Sequence, residues 1–131
     1  MKKIIIVCVI IIITVVSSDI ILKNIIFKNF DSLIYRIEKI EIDKGNEYNF
    51  GIISNIEDLI RDKSLLMAFY IDHEEIEKIK TQIIIIKAGI EKKDEQFVHE
   101  EVQRTIFIIN HLKEKIDFKL ENILWEQRNM L

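Results

Sequence analysis

The stretch Met1–Ile40, MKKIIIVCVIIIITVVSSDIILKNIIFKNFDSLIYRIEKI, decides the fold. Lys2 and Lys3 precede a run without formal charge, Ile4–Val16. A secretory signal needs a basic start, an apolar run of about 7–15 residues and a small-residue cleavage site. Val16-Ser17-Ser18, before Asp19, supplies the last of these. A spanning helix needs about 20 mostly apolar residues to cross roughly 30 Å of hydrocarbon. At about 1.5 Å per residue, Ile4–Val16 is too short for that. Reading on to Ile20-Ile21-Leu22 supplies the length and brings Asp19 into the segment. A carboxylate costs about 2.5–3.5 kcal/mol at the centre of a bilayer and much less near the end of a span.

Ile25-Ile26-Phe27 carry the apolar character further, as expected of a helix that leaves the bilayer uncut. Residues 1–22 therefore read as a membrane anchor and 23–131 as the domain it carries. The alternative is a signal peptide, with secretion after cleavage near Ser18. Lys2 and Lys3 place the N-terminus in the cytoplasm by the positive-inside rule, and the rest is expected outside the cell membrane, single-pass. On that reading the three residues before Ile4 leave no cytoplasmic domain to signal or catalyse.

Past Leu22 there is room for one small domain. The formal net charge of −3 falls near −5 once Lys2 and Lys3 are set aside. That balance argues against a nucleic-acid partner, which selects a basic patch or stripe. Cys8 is the only cysteine, so no intramolecular disulfide is possible, and its apolar setting makes it an inert thiol. The chain has no proline and only Gly45, Gly51 and Gly89 as glycines, which favours long helices over many turns.

Isoleucine favours strands, and Ile83–Ile86 is the likeliest place for one, but periodicity decides for helix. Ile26, Phe30, Leu33, Ile34, Ile37 and Ile40 recur at spacings of three and four, and this helix should stop within Asp43-Lys44-Gly45-Asn46. A second stripe, Ile52, Ile56, Leu59, Ile60, Leu66 and Tyr70, follows Gly51. A third runs Ile76, Ile79, Ile83, Ile86 and Ile90 in near-heptad spacing. Within it Ile83–Ile86 is apolar all round, so that turn is expected to be covered on several sides. The fourth is Val98, Val102, Thr105, Ile109, Leu112 and Ile116, after a break near Lys92-Lys93-Asp94. The expected fold is all-α: a transmembrane helix running into an up-down bundle of about four helices.

Asp72 stands at the start of the third helix with Glu75 three residues on, and Asp94 precedes a similar acidic first turn. Both are N-cap patterns in which a carboxylate accepts unpaired backbone N–H groups. A hairpin turning near Lys93 puts His73 and His111 at one end of the bundle, with Asp72, Glu75 and Glu114 nearby and His99 at the other end. His73, His111, Asp72 and Glu75 are the candidates for a metal or proton-sensing site, since imidazole and carboxylate are first-row metal ligands. Capping and backbone bonding outweigh that reading. The chain lacks the paired Glu-x-x-His of di-metal bundles and the His-Glu-x-x-His of zinc proteases. The tail Phe118, Leu120, Ile123, Leu124 and Trp125 is expected to pack across the bottom of the bundle, or else to lie on the membrane.

Three segments, in order, carry a resemblance: Phe69-Tyr70-Ile71-Asp72-His73-Glu74-Glu75-Ile76-Glu77, Ile109-Asn110-His111-Leu112 and Leu120-Glu121-Asn122-Ile123-Leu124. With its basic, apolar start, the chain resembles the short single-span proteins of clostridia and related firmicutes catalogued as domain of unknown function 4363. The likeness covers nearly the whole length. It implies an uncleaved anchor and a helical region, and no activity.

No glycine-rich phosphate loop and no serine or cysteine in a nucleophile motif is present, so an enzyme is not expected and neither is a cofactor. The expected role is a non-catalytic interaction or accessory subunit of a membrane complex, whose partners are the lipid bilayer and a membrane protein or a second copy. The alternative is an extracytoplasmic metal or small-ligand sensor.

Overall fold

The computed structural model describes the backbone of residues 1–130 and the side chains of residues 1–117. Its helices are α1 (Lys2–Glu38), α2 (Asn46–Ala68), α3 (His73–Glu91) and α4 (Glu95–Met130), with one 3₁₀ turn at Ile42–Lys44. No strand occurs among the described residues.

The first helix does two jobs without a break. Residues 1–18 are exposed throughout, and burial begins with Ile26, Phe30, Leu33 and Ile37, all with no exposed surface. The change in environment follows the change in sequence period. An all-round apolar segment has no preferred side and projects from the bundle, whereas a stripe at spacings of three and four has one face to bury. Each fully buried isoleucine, leucine or phenylalanine contributes about 1.5–3 kcal/mol of transfer free energy.

Past Glu38 the chain turns through Ile40, the 3₁₀ turn and Gly45, whose φ of 91° only glycine adopts without strain. Asn49, fully buried on α2, fastens this turn. Its amide nitrogen donates to the Glu41 carbonyl at 2.8 Å, and its amide oxygen accepts the Glu41 N–H at 3.1 Å.

Each helix runs antiparallel to the next. Arg36 near the end of α1 donates to the Asn55 carbonyl in α2, while Tyr70, just past α2, reaches back to Asp19 in α1. At the α3–α4 turn, Gly89 lies against Phe97 and Val98, and at the far end of that pair Lys115 meets Glu75 at 3.6 Å. Lys23–Asp117 and Asp31–Lys113 tie α1 to α4, also antiparallel, so the four helices close into a ring. This is the up-down bundle.

The stripes on α3 and α4 are all buried, from Ile76 to Ile90 and from Val98 to Ile116. On α2 the buried side is turned from the expected one. Ile53, Ile56, Ile60 and Met67 are buried, whereas Ile52, Leu59 and Leu66 lie at its margin. The helix also starts at Asn46, five residues before Gly51, because Gly45 makes the turn and Gly51 sits in open space on the exposed side.

Two further expectations are corrected. The turn Ile83–Ile86 is not covered on several sides: Ile83 and Ile86 face the core, but Ile84 is 64 % exposed. Asp72 occupies the N-cap position of α3, yet its side chain makes no capping bond. Asp94 does cap α4, accepting the Phe97 N–H at 3.2 Å. There α3 ends with Lys93 at φ 57°, the Lys93 N–H bonding to the Ile90 carbonyl and the Asp94 N–H to the Gly89 carbonyl. That pattern is a Schellman motif, which leaves Asp94 poised to start the next helix.

Candidate functional site

The ion pairs that join different helices among the described residues gather toward the end of the bundle where α1 emerges. The antiparallel ring puts four stretches there: Asp19 and Lys23 of α1, the turn Phe69–Asp72, the first turns of α3, and His111–Asp117 of α4.

At this end the Tyr70 hydroxyl donates to the Asp19 carboxylate, with the Asp19 carbonyl oxygen 3.3 Å away. Burial, and then the bond to and charge of Asp19, push the Tyr70 phenol up to about 12 from its ordinary value of 10.0. Removing the phenolic proton here would place a second negative charge beside a carboxylate in a partly desolvated position. Asp19 is the one acidic residue in the apolar segment, and its carboxylate is held by a neighbour. Lys23 joins Asp117 at 3.0 Å one turn further on, and Glu75 receives both Lys78 (3.4 Å) and Lys115 (3.6 Å).

Of the four residues singled out in the sequence, three share one groove. Asp72, Glu75 and His111, with Glu114 and Lys115, rim a depression of about 650 Å³ floored by Ile71, Leu112 and Ile116. His73 lies outside it. It is largely exposed on another face of α3, 3.5 Å from Glu77 one turn along the same helix. His111 is exposed and stacks on Phe107, with ring centres 6.3 Å apart and planes 4° from parallel. His99 lies at the opposite end, in a groove with Glu38, Glu41, Asp43 and Glu95. Among the described residues no three histidine, cysteine or acidic side chains are grouped so as to hold a metal ion.

The groove suits a cationic or hydrogen-bonding group with an apolar part. Its rim carries three carboxylates against one lysine, and its floor is aliphatic. Among the described residues, its Glu75 carboxylate pairs with Lys78 and Lys115 and its histidine stacks on Phe107.

Sequence reading missed the Asp19–Tyr70 contact. The sequence pattern gives Tyr70 as the last residue of the α2 stripe and Asp19 as a charge near the end of the span. The signal was the antiparallel register itself, which brings the end of α2 level with the start of the packed part of α1. The expected packing of Phe118, Leu120, Ile123, Leu124 and Trp125 lies outside the residues whose side chains are described.

Comparison with known proteins then places the chain. The family model described as Domain of unknown function (DUF4363) matches residues 20–123. The chain belongs to this family. No curated protein and no solved structure matches it. The matched region begins one residue after Asp19 and takes in the packed part of α1, all of α2 and α3, and most of α4. Tyr70, Asp72, Glu75 and His111 all lie inside it.

Proposed function

We propose that this protein is a membrane-anchored, non-catalytic interaction module, an accessory subunit whose helical bundle stands outside the cytoplasmic membrane. One observation carries the reading. α1 is long and apolar enough to cross a membrane, its most apolar window is wholly unburied, and the same helix then buries Ile26, Phe30, Leu33 and Ile37 in the bundle's core. A signal peptide destined for removal has no need to be continuous with the domain, whereas an anchor gains rigid placement of that domain from the continuity. Lys2 and Lys3 favour an N-terminus on the cytoplasmic side.

The accessory role draws on the site chemistry. The groove and the charged end of the bundle are suited to contact. Affinity purification of the tagged chain from native membranes in mild detergent tests it. A stoichiometric membrane-protein partner or a defined oligomer is expected, and recovery only as a free monomer would remove the accessory reading.

A second reading, sensing of a small ligand, rests on the groove lined by Asp72, Glu75, His111 and Glu114. Calorimetric titration of the detergent-solubilised chain with divalent metals and with small organic cations tests it, and no heat at micromolar concentrations would dismiss it.

A further inference from the structure

We infer that the corner of the bundle formed by the end of α2, with Leu65 and Phe69 at its tip, dips into the lipid bilayer beside α1 as a second membrane contact. The inference rests on the membrane-anchored reading of α1 and adds a surface to it.

Register leads to this conclusion. A hydrocarbon layer of roughly 30 Å takes about 20 helical residues. Counted from Ile4, that length runs to Lys23, the first formal charge after Asp19. Asp19 therefore lies about 6 Å inside the bundle-side boundary, at about 1.5 Å per residue. The Tyr70 hydroxyl is bonded to Asp19, so it stands at the same depth. Phe69 immediately precedes Tyr70, and Leu65 lies one helical turn above it.

Exposure agrees with the register. Phe69 is 74 % and Leu65 78 % exposed, among the most open large apolar side chains of the bundle. They are four residues apart and so share one face of α2, with the small, exposed Ala68 beside Phe69. On α1, Ile20 and Ile21, next to Asp19, are more than half exposed and continue the apolar surface at this level. The other side of the same end is charged, with Asp72, His73, Glu74, Glu114 and Asp117 all exposed. The end of the bundle is thus one-sided: an apolar corner at α2 and an ionic rim at α3 and α4. A bilayer edge at that level would cover both of these open apolar groups. The Asp19–Tyr70 pair fits the same place, since a carboxylate at the edge of the hydrocarbon is tolerated when a hydroxyl is bonded to it and headgroups are within reach.

The test uses the full chain in phosphatidylcholine–phosphatidylglycerol vesicles. The only tryptophan is replaced (Trp125→Phe), and single tryptophans are installed as Phe69→Trp, Phe107→Trp or Ile12→Trp. Lipids brominated at different depths then quench whichever indole they touch. The expected result is quenching of Phe69→Trp, strongest with bromines near the headgroup end of the chain. Ile12→Trp should be quenched most by bromines near the chain terminus, and Phe107→Trp, further up the bundle, should resist quenching. Unquenched Phe69→Trp alongside quenched Ile12→Trp would overturn the corner contact and leave the anchor standing. Blue-shifted but unquenched Phe69→Trp would overturn it in favour of a protein partner or a second copy at this corner. Quenching of Phe107→Trp equal to that of Phe69→Trp would overturn it as a specific contact. If Ile12→Trp is also unquenched, the anchored reading fails and the inference fails with it.

Discussion

Two side chains hold the ends of the bundle, and each makes a prediction at its own scale. Asn49 is fully buried and satisfies both backbone groups of Glu41. Asn49→Ala removes both bonds, at about 0.5–1.5 kcal/mol net for each hydrogen bond. Chemical denaturation in mild detergent should show that loss, and an unchanged midpoint would mean the turn is fastened otherwise. Tyr70 predicts a pH dependence. Its phenol titrates at about 12 in the folded chain, against 10.0 ordinarily, so the folded state holds the proton more tightly. The associated stability is fully present below about pH 10 and is lost as pH rises toward 12. In a spectroscopic tyrosinate titration, one of the three tyrosines should ionise last, and Tyr70→Phe should remove that late step while leaving the other two. A titration in which Tyr70→Phe removes an early step would contradict the Asp19 contact.

At the scale of the helix, the glycines separate space from propensity. Gly51 and Gly89 are both helical, and alanine is favoured over glycine in a helix by about 1 kcal/mol. A Cβ at Gly51 meets nothing within 4 Å, so Gly51→Ala should stabilise the protein by roughly 0.5–1 kcal/mol. A Cβ at Gly89 would fall 2.8 Å from a methyl of buried Val98 and 2.7 Å from the Phe97 ring. Overpacking of that kind costs about 1–3 kcal/mol, which outweighs the propensity gain, so Gly89→Ala should destabilise. Melting temperatures measured side by side should move in opposite directions, and a shared direction would mean that the α3–α4 approach is looser than it stands. The helices themselves were largely legible in the sequence. Every stripe residue of α3 and α4 is buried, because long amphipathic helices with short turns leave periodicity little competition. Legibility failed on α2, where Ile52 and Ile53 are adjacent and equally apolar. Asn49, buried on α2 and bonded to Glu41, holds the helical phase that turns Ile53 inward. The N-cap at Asp72 was misread because an acidic residue in the right place need not turn its carboxylate toward the helix, as Asp94 does.

For the whole molecule, the sequence pattern also placed Asp72, Glu75 and His111 together, since a hairpin pivoting near Lys93 fixes which residues share an end. It did not separate His73 from them, because end and face are different coordinates: the turn sets the first and helical phase the second. The Asp19–Tyr70 bond was hidden for a related reason. It joins residues far apart in the chain through the antiparallel register of α1 and α2, which no local window contains. That bond bears on the central claim, that α1 is one uncut helix serving as both anchor and core. If cleavage fell near Ser18, the apolar projection would be lost and Asp19 would become a free N-terminus beside Tyr70. The direct measurement is the N-terminal residue of the chain recovered from carbonate-washed membranes of cells that express it. Met1 or Lys2, with the protein retained in the membrane pellet, is the predicted result, and a chain beginning at or near Asp19 and released into the soluble fraction would contradict it.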